Sequence, residues 1–405
     1  MNDKVWHRNL IILWFGAFMS EGAISLIVPI MPLFLKTLGN YSNKEINLLT
    51  GMIFSITFLI KAIISPLWGK ISDQKGHKPM LLKAAGGLTF CCLLISIAPN
   101  IWIIFLARAI QGVFSGYINN SESMIAAQVP DNKNGFALGT LATGDTAGLL
   151  CGPIIGGILA TGFGFRGTFI IAGLLMGLVF LLSLILVKEN FQPLPKKQVV
   201  GILETMREQE FPKIIIIIFI ITMIIQATNN AVNPIISLYL ADILHNPSNL
   251  TLISGIISSI PGIATIMSAT YFGHLGDRYG QTKLLSAALI LGILTYIPQI
   301  FITNIWVFSF LRFLTGFSIA ALLPAAQAIL TLETDHKSLG RIFSYNQTFQ
   351  AMGNVLGMTL SSIVSAYLGY SQMFLLVVIL EIIGLTLVPM TKRHSSNIFS
   401  NKTSL

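Results

Sequence analysis

Charge is what this chain has least of. Only 10% of its 405 residues are Asp, Glu, Lys or Arg, 54% are apolar, and the mean hydropathy is +0.76. Soluble domains carry about 25% charged residues, so water is not the main solvent here and a soluble enzyme is excluded. Cysteine is nearly absent. Cys91, Cys92 and Cys151 fall inside apolar stretches without metal-like spacing, which excludes a disulfide framework and a thiolate metal site. The six histidines (His7, His77, His245, His274, His336 and His394) all fall at or beyond the ends of the apolar segments. No clustered His/Asp/Glu set is left for a membrane-embedded enzyme or sensor, the remotest reading of the chain. No G-x-x-x-x-G-K-[ST] loop occurs, so ATP is not the energy source. No metal and no cofactor is expected. Long loops are missing on the outer side as well, as between Ala98 and Ile101, which counts against a receptor for large ligands. The first apolar segment is long and contains Pro29 and Pro32, unlike a cleavable signal.

What is present is apolar length. Runs of about 20 residues span a bilayer, and twelve are predicted, near 9–34, 46–67, 79–98, 101–125, 136–160, 167–187, 213–240, 249–271, 283–302, 304–330, 341–366 and 370–391. Placing both termini inside puts nineteen Lys/Arg on the cytoplasmic side, three outside (Lys36, Lys44, Arg166) and three within spans. That bias sets the orientation. The net charge of +9 is therefore topology, not a nucleic-acid footprint. The expectation is an all-α polytopic protein of the plasma membrane, monomeric, with cytoplasmic termini. Its predicted parts are a six-helix bundle at 1–187, a cytoplasmic linker at 188–212, and a second bundle with a short polar tail at 213–405. Within the linker, "VVGILETMREQ" has the pattern of a surface amphipathic helix.

The chain is also written twice, about 204 residues apart. Gly69, Asp73 and Gly76 return as Gly273, Asp277 and Gly280; Asn100-Ile101-Trp102 returns as Asn304-Ile305-Trp306; Arg108 and Gly112 return as Arg312 and Gly316. With a one-residue slip, Pro29 answers to Pro234, and Gly148 and Gly152 to Gly353 and Gly357. Two six-span copies in so apolar a chain point to a transporter whose halves rock about a central site.

Polar residues inside the spans are few enough to weigh singly. Arg108, Gln111, Ser115, Asn119 and Glu122 follow i, i+3, i+7, i+11, i+14 and form one stripe on a continuous helix. A charge at the depth of Arg108 costs several kcal/mol unless paired or hydrated, so it faces inward, as a proton-coupling, electrostatic or ion-pairing residue. Glu21 lies near the middle of span one and its repeat position holds Gln226. Asp145 lies in span five beside a face made by Gly144, Gly148, Gly152 and Gly156. Burial disfavours the charged form of a carboxyl, which suits either acid to carry a proton; a structural hydrogen bond or ion pair is the alternative. Lys61 sits about 12 Å above Gly69 by helical rise, at a depth like that of Asp145; it either pairs with that acid or snorkels. Glu381 lies mid-span in the last helix without an evident partner. The second half offers amides instead: Gln226, Asn229, Asn230 and Asn233 in span seven, and Asn346, Gln350 and Asn354 in span eleven. Glu21, Asn119, Glu122, Gln226, Asn229, Asn230, Asn346 and Gln350 are the candidate cavity residues.

Three motifs carry a family resemblance. Gly69 to Lys78, with Asp73 and Gly76, resembles the loop G-x-x-x-D-x-x-G-R-K of the major facilitator superfamily, His77 replacing the first basic residue. "RAIQG", from Arg108 to Gly112, resembles its R-x-x-x-G motif. Gly139, Gly148, Gly152-Pro153 and Gly156-Gly157 match in full the motif of its drug:proton antiporters. Over nearly the whole chain the resemblance is to twelve-span multidrug and fluoroquinolone exporters of Gram-positive bacteria. It departs at Gln128 and Asn134, where an acid and a base are usual. The resemblance implies a fold of two pseudo-symmetric six-helix bundles. It also implies a latch, closed in the outward-open state, in which Gly69, Asp73, Gly76, Lys78, Asp277 and Arg341 take part, with Arg341 as partner of Asp73. It implies export of lipophilic, often cationic small molecules in exchange for protons, with Glu21, Asp145 and Arg108 as coupling candidates. A dedicated exporter of one metabolite, sugar or antibiotic such as tetracycline is the nearer alternative.

Overall fold

Ten helices of the protein, described from a computed structural model, are long and apolar enough to cross a bilayer. The sequence predicts twelve, and the two shortfalls have separate causes. The element Lys133–Leu186 has 54 residues, about 80 Å if straight, against a hydrocarbon thickness of about 30 Å. It is two crossings, parted where Gly164 takes φ 71° and leaves helical geometry. The other is Leu339–Tyr367, a 29-residue helix whose amides and hydroxyls lower its hydropathy. It packs between spans two and seven, where polar side chains find partners that lipid cannot supply.

The crossings are therefore span one (Asp3–Ser25 continued by Ile27–Lys36), two (Asn43–Lys75), three (His77–Ser96), four (Ile101–Phe114 and Tyr117–Gln128), and five and six (Asp131–Leu186 on either side of Gly164). The second half repeats them as span seven (Pro212–Ala231 and Ile236–Ile243), eight (Leu250–Tyr279), nine (Gln281–Gln299), ten (Ile305–Glu333), eleven (Leu339–Tyr367) and twelve (Tyr370–Leu387). The structure describes residues 3–189, 209, 211–245, 247–334 and 338–391. Most of the predicted linker, with its amphipathic segment, and the tail from 392 lie outside the described residues, as does the side chain of Asp73.

The sequence repeats turn out to be packing devices. Asn100 and Asn304 are N-caps: Asn100 accepts from the Ile103 N–H at 3.1 Å, and Asn304 from Trp306 at 2.9 Å and Val307 at 3.3 Å. Such a cap satisfies donors that a helix start leaves open. Gly76 (φ 91°) and Gly280 (φ 95°) make the turns between spans two and three and between eight and nine, a region closed to most side chains. Gly112 lets span four touch the Thr57 carbonyl of span two, and Gly316 lets span ten touch the Pro261 carbonyl of span eight. Gly144, Gly148, Gly152 and Gly156 lay span five on the backbone of Trp14, Phe18, Gly22 and Leu26 in span one. Gly353 and Gly357 do the same for span eleven on Met223 and Ala227 of span seven.

Contacts between the halves gather at one end of the molecule. Ser55 donates or accepts at 2.8 Å with Thr359, Asn47 reaches Tyr370 at 3.5 Å, Ser259 donates to the Leu150 carbonyl at 2.6 Å, and Ser237 donates to the Pro29 carbonyl. Gly157 meets Thr251 and Leu252, and Gly255 meets Pro153. Leu238 of span seven is buried in the core of the first half. At the other end, where the Gly69 and Gly273 loops lie, a side chain at Gly69, Gly139 or Gly273 would meet nothing. Leu67, Phe136, Met267 and Tyr271 are exposed there. The molecule is closed at the end of residues 36–43 and open at the end rich in Lys and Arg.

Close backbone approach makes span five sensitive to volume. Gly148→Val should lower the thermal midpoint of the purified protein by the equivalent of about 1–3 kcal/mol, the usual cost of overpacking. Gly139→Ala, in open space, should leave it unchanged; equal effects of the two would contradict this packing.

Candidate functional site

A cavity of about 230 Å³ opens inside the first half, lined by Ser20, Glu21, Lys61, Arg108, Asn119 and Asp145 among others. Its walls come from spans one to five. The bare face of span five sets Gly148 against Gly22, the neighbour of Glu21, and so brings Glu21 and Asp145 to one space. Neither carboxylate has a hydrogen bond from a described residue, and Asp145 Oδ1 is buried without a partner. Lys61 lines the same space and is near enough to bear on the charge of both acids. Phe58, Phe114 and Ile118 add apolar wall.

Arg108 is 1% exposed. Its Nη1 donates to Gln111 Oε1 at 2.6 Å and its Nε to the Ile53 carbonyl at 3.4 Å, and the guanidinium lies 5.3 Å from the Phe54 ring centroid. The structural ion pair considered from the sequence is not what satisfies it; a carbonyl and an amide do. The continuous helix expected for span four is a second difference. The span breaks at Ser115–Gly116, where Gly116 takes φ 111°. The loosened carbonyls find donors: Trp68 to Val113 at 2.7 Å, Lys83 to Ser115 at 3.1 Å, Asn120 to Gly116 at 2.6 Å. Broken helices persist at membrane depth where they line a cavity, and Ser115 and Gly116 do. The break resets the register of the stripe. Arg108, Gln111, Ser115 and Asn119 stay on the cavity wall, whereas Glu122 is exposed and outside its lining. The Ser115-Gly116 dipeptide was the only sequence signal for this break.

The amides of the second half are not part of that wall. They pair across spans seven and eleven: Thr222 donates to Asn346 at 2.6 Å, Gln226 to Gln350 at 3.3 Å, and Asn230 to Asn354 at 2.7 Å. Asn233 extends the ladder to Asn230 at 2.9 Å. Asn229 is half-buried beside it.

Doubled six-span units, a broken helix at an internal cavity and paired acids there fit one sequence profile, that of the Major Facilitator Superfamily, which matches residues 13–215 and 218–402. The chain belongs to that superfamily. It is 43% identical over 370 residues to multidrug resistance protein MdtG of Escherichia fergusonii, covering 91% of each chain. It is 42% identical to multidrug resistance protein MdtG of Enterobacter lignolyticus, covering 91% of this chain and 88% of that one. Among solved structures it resembles a bacterial homolog of the human lysosomal transporter Spinster, with TM-score 0.77 at 14% identity over 96% of this chain and 97% of that one. The nucleoside transporter NupG gives TM-score 0.75 at 15% identity over 95% and 99%. At such identities these two likenesses speak to fold alone.

Ser72, His77 and Lys78 of the superfamily's signature loop bond within the first half. Lys78 Nζ donates to the Leu184 and Val187 carbonyls, both at 2.8 Å, and so caps the end of span six. The Glu189 carboxylate accepts from the His77 and Lys78 N–H groups at 2.8 Å each, capping the start of span three. His77 Nδ1 shares a 2.8 Å bond with Ser72. Gln128, standing where an acid is usual, accepts from Asn9 at 2.8 Å and donates to the Lys188 carbonyl at 3.2 Å. Asp277 accepts from Gln281 at 3.2 Å. Arg341 stands in the first turn of span eleven.

Glu381, without a partner in the sequence reading, acquires a setting. It is 1% exposed, its carboxylate fills the space a side chain at Gly292 would take, and the buried Tyr296 and Arg312 stand nearby. Spans nine, ten and twelve thus share one buried polar knot, with Glu381 Oε2 unpartnered. Gly292→Ala should lower the thermal midpoint, and Glu381→Ala in the same chain should recover part of the loss. Additive losses in that double-mutant cycle would show that the two do not compete for space.

Proposed function

We propose that this protein exports lipophilic, often cationic small molecules across the plasma membrane in exchange for protons, by alternating access. The observation that carries the reading is the pairing of Glu21 and Asp145, free of hydrogen bonds, in one half-apolar cavity. A carboxylate there gives up its proton on the cytoplasmic side as cargo binds and takes one from outside after release. Cargo and proton compete for the same charge, and that differential affinity couples the two fluxes. Arg108, held by Gln111 and Ile53, contributes a fixed positive field. The curated relatives named multidrug resistance proteins support drugs as cargo.

The moving units on this reading are residues 1–187 and 213–405, joined by 188–212. Both termini lie on the cytoplasmic side, which makes the open, basic end face the cytoplasm and the described state inward-open. When the halves rock to the outward-open state, Asp73 and Arg341 close the latch with Gly69, Gly76 and Asp277. The protein works as a monomer and needs no cofactor.

Everted membrane vesicles, energised and then given a panel of cationic and zwitterionic drugs, test the reading. The wild type should release protons on drug addition. Asp145→Asn or Glu21→Gln should reduce the release by about tenfold or more, since one tenfold step corresponds to only about 1.4 kcal/mol. Release that survives both changes would remove these carboxylates from the mechanism. A wild type silent to every drug would favour a dedicated exporter of one metabolite.

A further inference from the structure

Two acids and one ammonium share the cavity, and their count sets how many protons it holds. We propose that Lys61 fixes the proton occupancy of the cavity: it keeps one of Glu21 and Asp145 ionised and leaves the other as the single protonated, exchangeable carboxyl. The proposal rests on the reading that this cavity exchanges protons for cargo.

The geometry supplies the parts. Glu21 comes from span one, Lys61 from span two and Asp145 from span five, and all three line the same 230 Å³ space. Lys61 is half-buried and lines the cavity, while Ile63 and Leu67 on the other face of the same helix are 61% and 57% exposed, so its side chain is on the face turned toward the bundle interior. Among the described residues no hydrogen bond satisfies either carboxylate or the ammonium. Charge must then be balanced by charge or by a proton. Lys61 acts on both acids. Arg108, which also lines the cavity, does not stand in for it, because it is committed to Gln111, Ile53 and the Phe54 ring. Lys83 of span three is turned to the Ser115 carbonyl and the Trp68 ring. Asp145 in turn bears on Glu122 of span four, which is exposed, lies outside the cavity lining and adds no cation. The Tyr117 hydroxyl is held by Ser183.

Two carboxylates close together in a low-dielectric site do not both stay ionised without a cation. One ammonium neutralises one of them, and the pair titrates as a unit, so which acid carries the proton is a property of the cluster. Without Lys61 both acids hold protons, and binding one monovalent cation displaces one of them and leaves the other protonated.

Infrared spectroscopy of the purified full-length protein counts protonated carboxyls directly through their carbonyl stretch. Spectra taken as differences against the Glu21→Gln/Asp145→Asn double variant remove the contribution of Glu381. Near neutral pH the wild type should show about one protonated carboxyl in the cavity and Lys61→Met about two, with Lys61→Arg matching the wild type. In the wild-type background Glu21→Gln should abolish the signal, because Asp145 then takes Lys61 for itself; this arm holds even where Lys61→Met does not fold. Equal counts with and without Lys61, or a signal that survives Glu21→Gln and vanishes only with Asp145→Asn, overturn the proposal. Tetraphenylphosphonium addition separates it from the export reading: about one proton should leave per cation bound in both proteins, after which the wild type keeps no protonated carboxyl in the cavity and Lys61→Met keeps about one. No release by either protein speaks against proton-coupled export of cations and leaves the carboxyl count to decide the role of Lys61.

Discussion

Backbone lying directly on backbone is the constraint on which the rest of this structure depends. In lipid, helices gain little by hiding apolar surface from one another, so close packing of small residues does the work. Span five meets span one at Gly144, Gly148, Gly152 and Gly156, and span eleven meets span seven at Gly353 and Gly357. Side chains on the rim of such a contact are held near each other because nothing lies between the helices. In the first half the rim carries Glu21 and Asp145; in the second it carries Gln226, Gln350, Asn230 and Asn354. One packing rule thus builds two chemically different sites.

The seam between the halves adds other material. Besides the close contacts of Gly157 and Gly255, hydroxyls meet carbonyls and each other there, from Ser55, Ser237 and Ser259. Each such bond contributes about 0.5–1.5 kcal/mol net. These contacts gather at one end, whereas the glycine seam of span five on span one runs over several turns within the first half, so the halves can part at the other end while each stays packed. The caps that tie spans one, three, four and six at the basic end, through Glu189, Lys78 and Gln128, stiffen the first half against the same motion.

Much of this was written locally in the chain. Asn100 and Asn304, Gly76 and Gly280, and the glycine series of span five each act on their own turn or their own neighbour, and their duplication exposed them. Glu21, Asp145, Arg108 and Lys61 stood out because a charge inside an apolar run is costly and therefore rare. What stayed hidden depended on distant partners. Nothing near Glu189 says that it caps span three, 111 and 112 residues earlier. Nothing near Gly292 says that a carboxylate of span twelve fills its missing side chain. The break in span four was misread for a different reason: polar spacing alone fits a continuous helix, and a lone glycine is a weak stop signal inside a span. Glu122 paid for that error in register.

The difference between the two halves follows from what each rim can exchange. Carboxylates and ammonium change state by binding or losing a proton, so the cavity of the first half can pass a proton only if cargo alters the balance of charge there. The amides across spans seven and eleven have no such freedom. They can only re-pair, and the ladder already leaves Asn346 Nδ2 and Gln350 Nε2 as buried donors without acceptors. An amide network with spare donors can rearrange around a shift of span eleven on span seven at constant charge. On the proposed reading the second half can therefore change shape during the cycle without competing for the proton, which is left to the cavity of the first half that Glu21, Asp145 and Lys61 line.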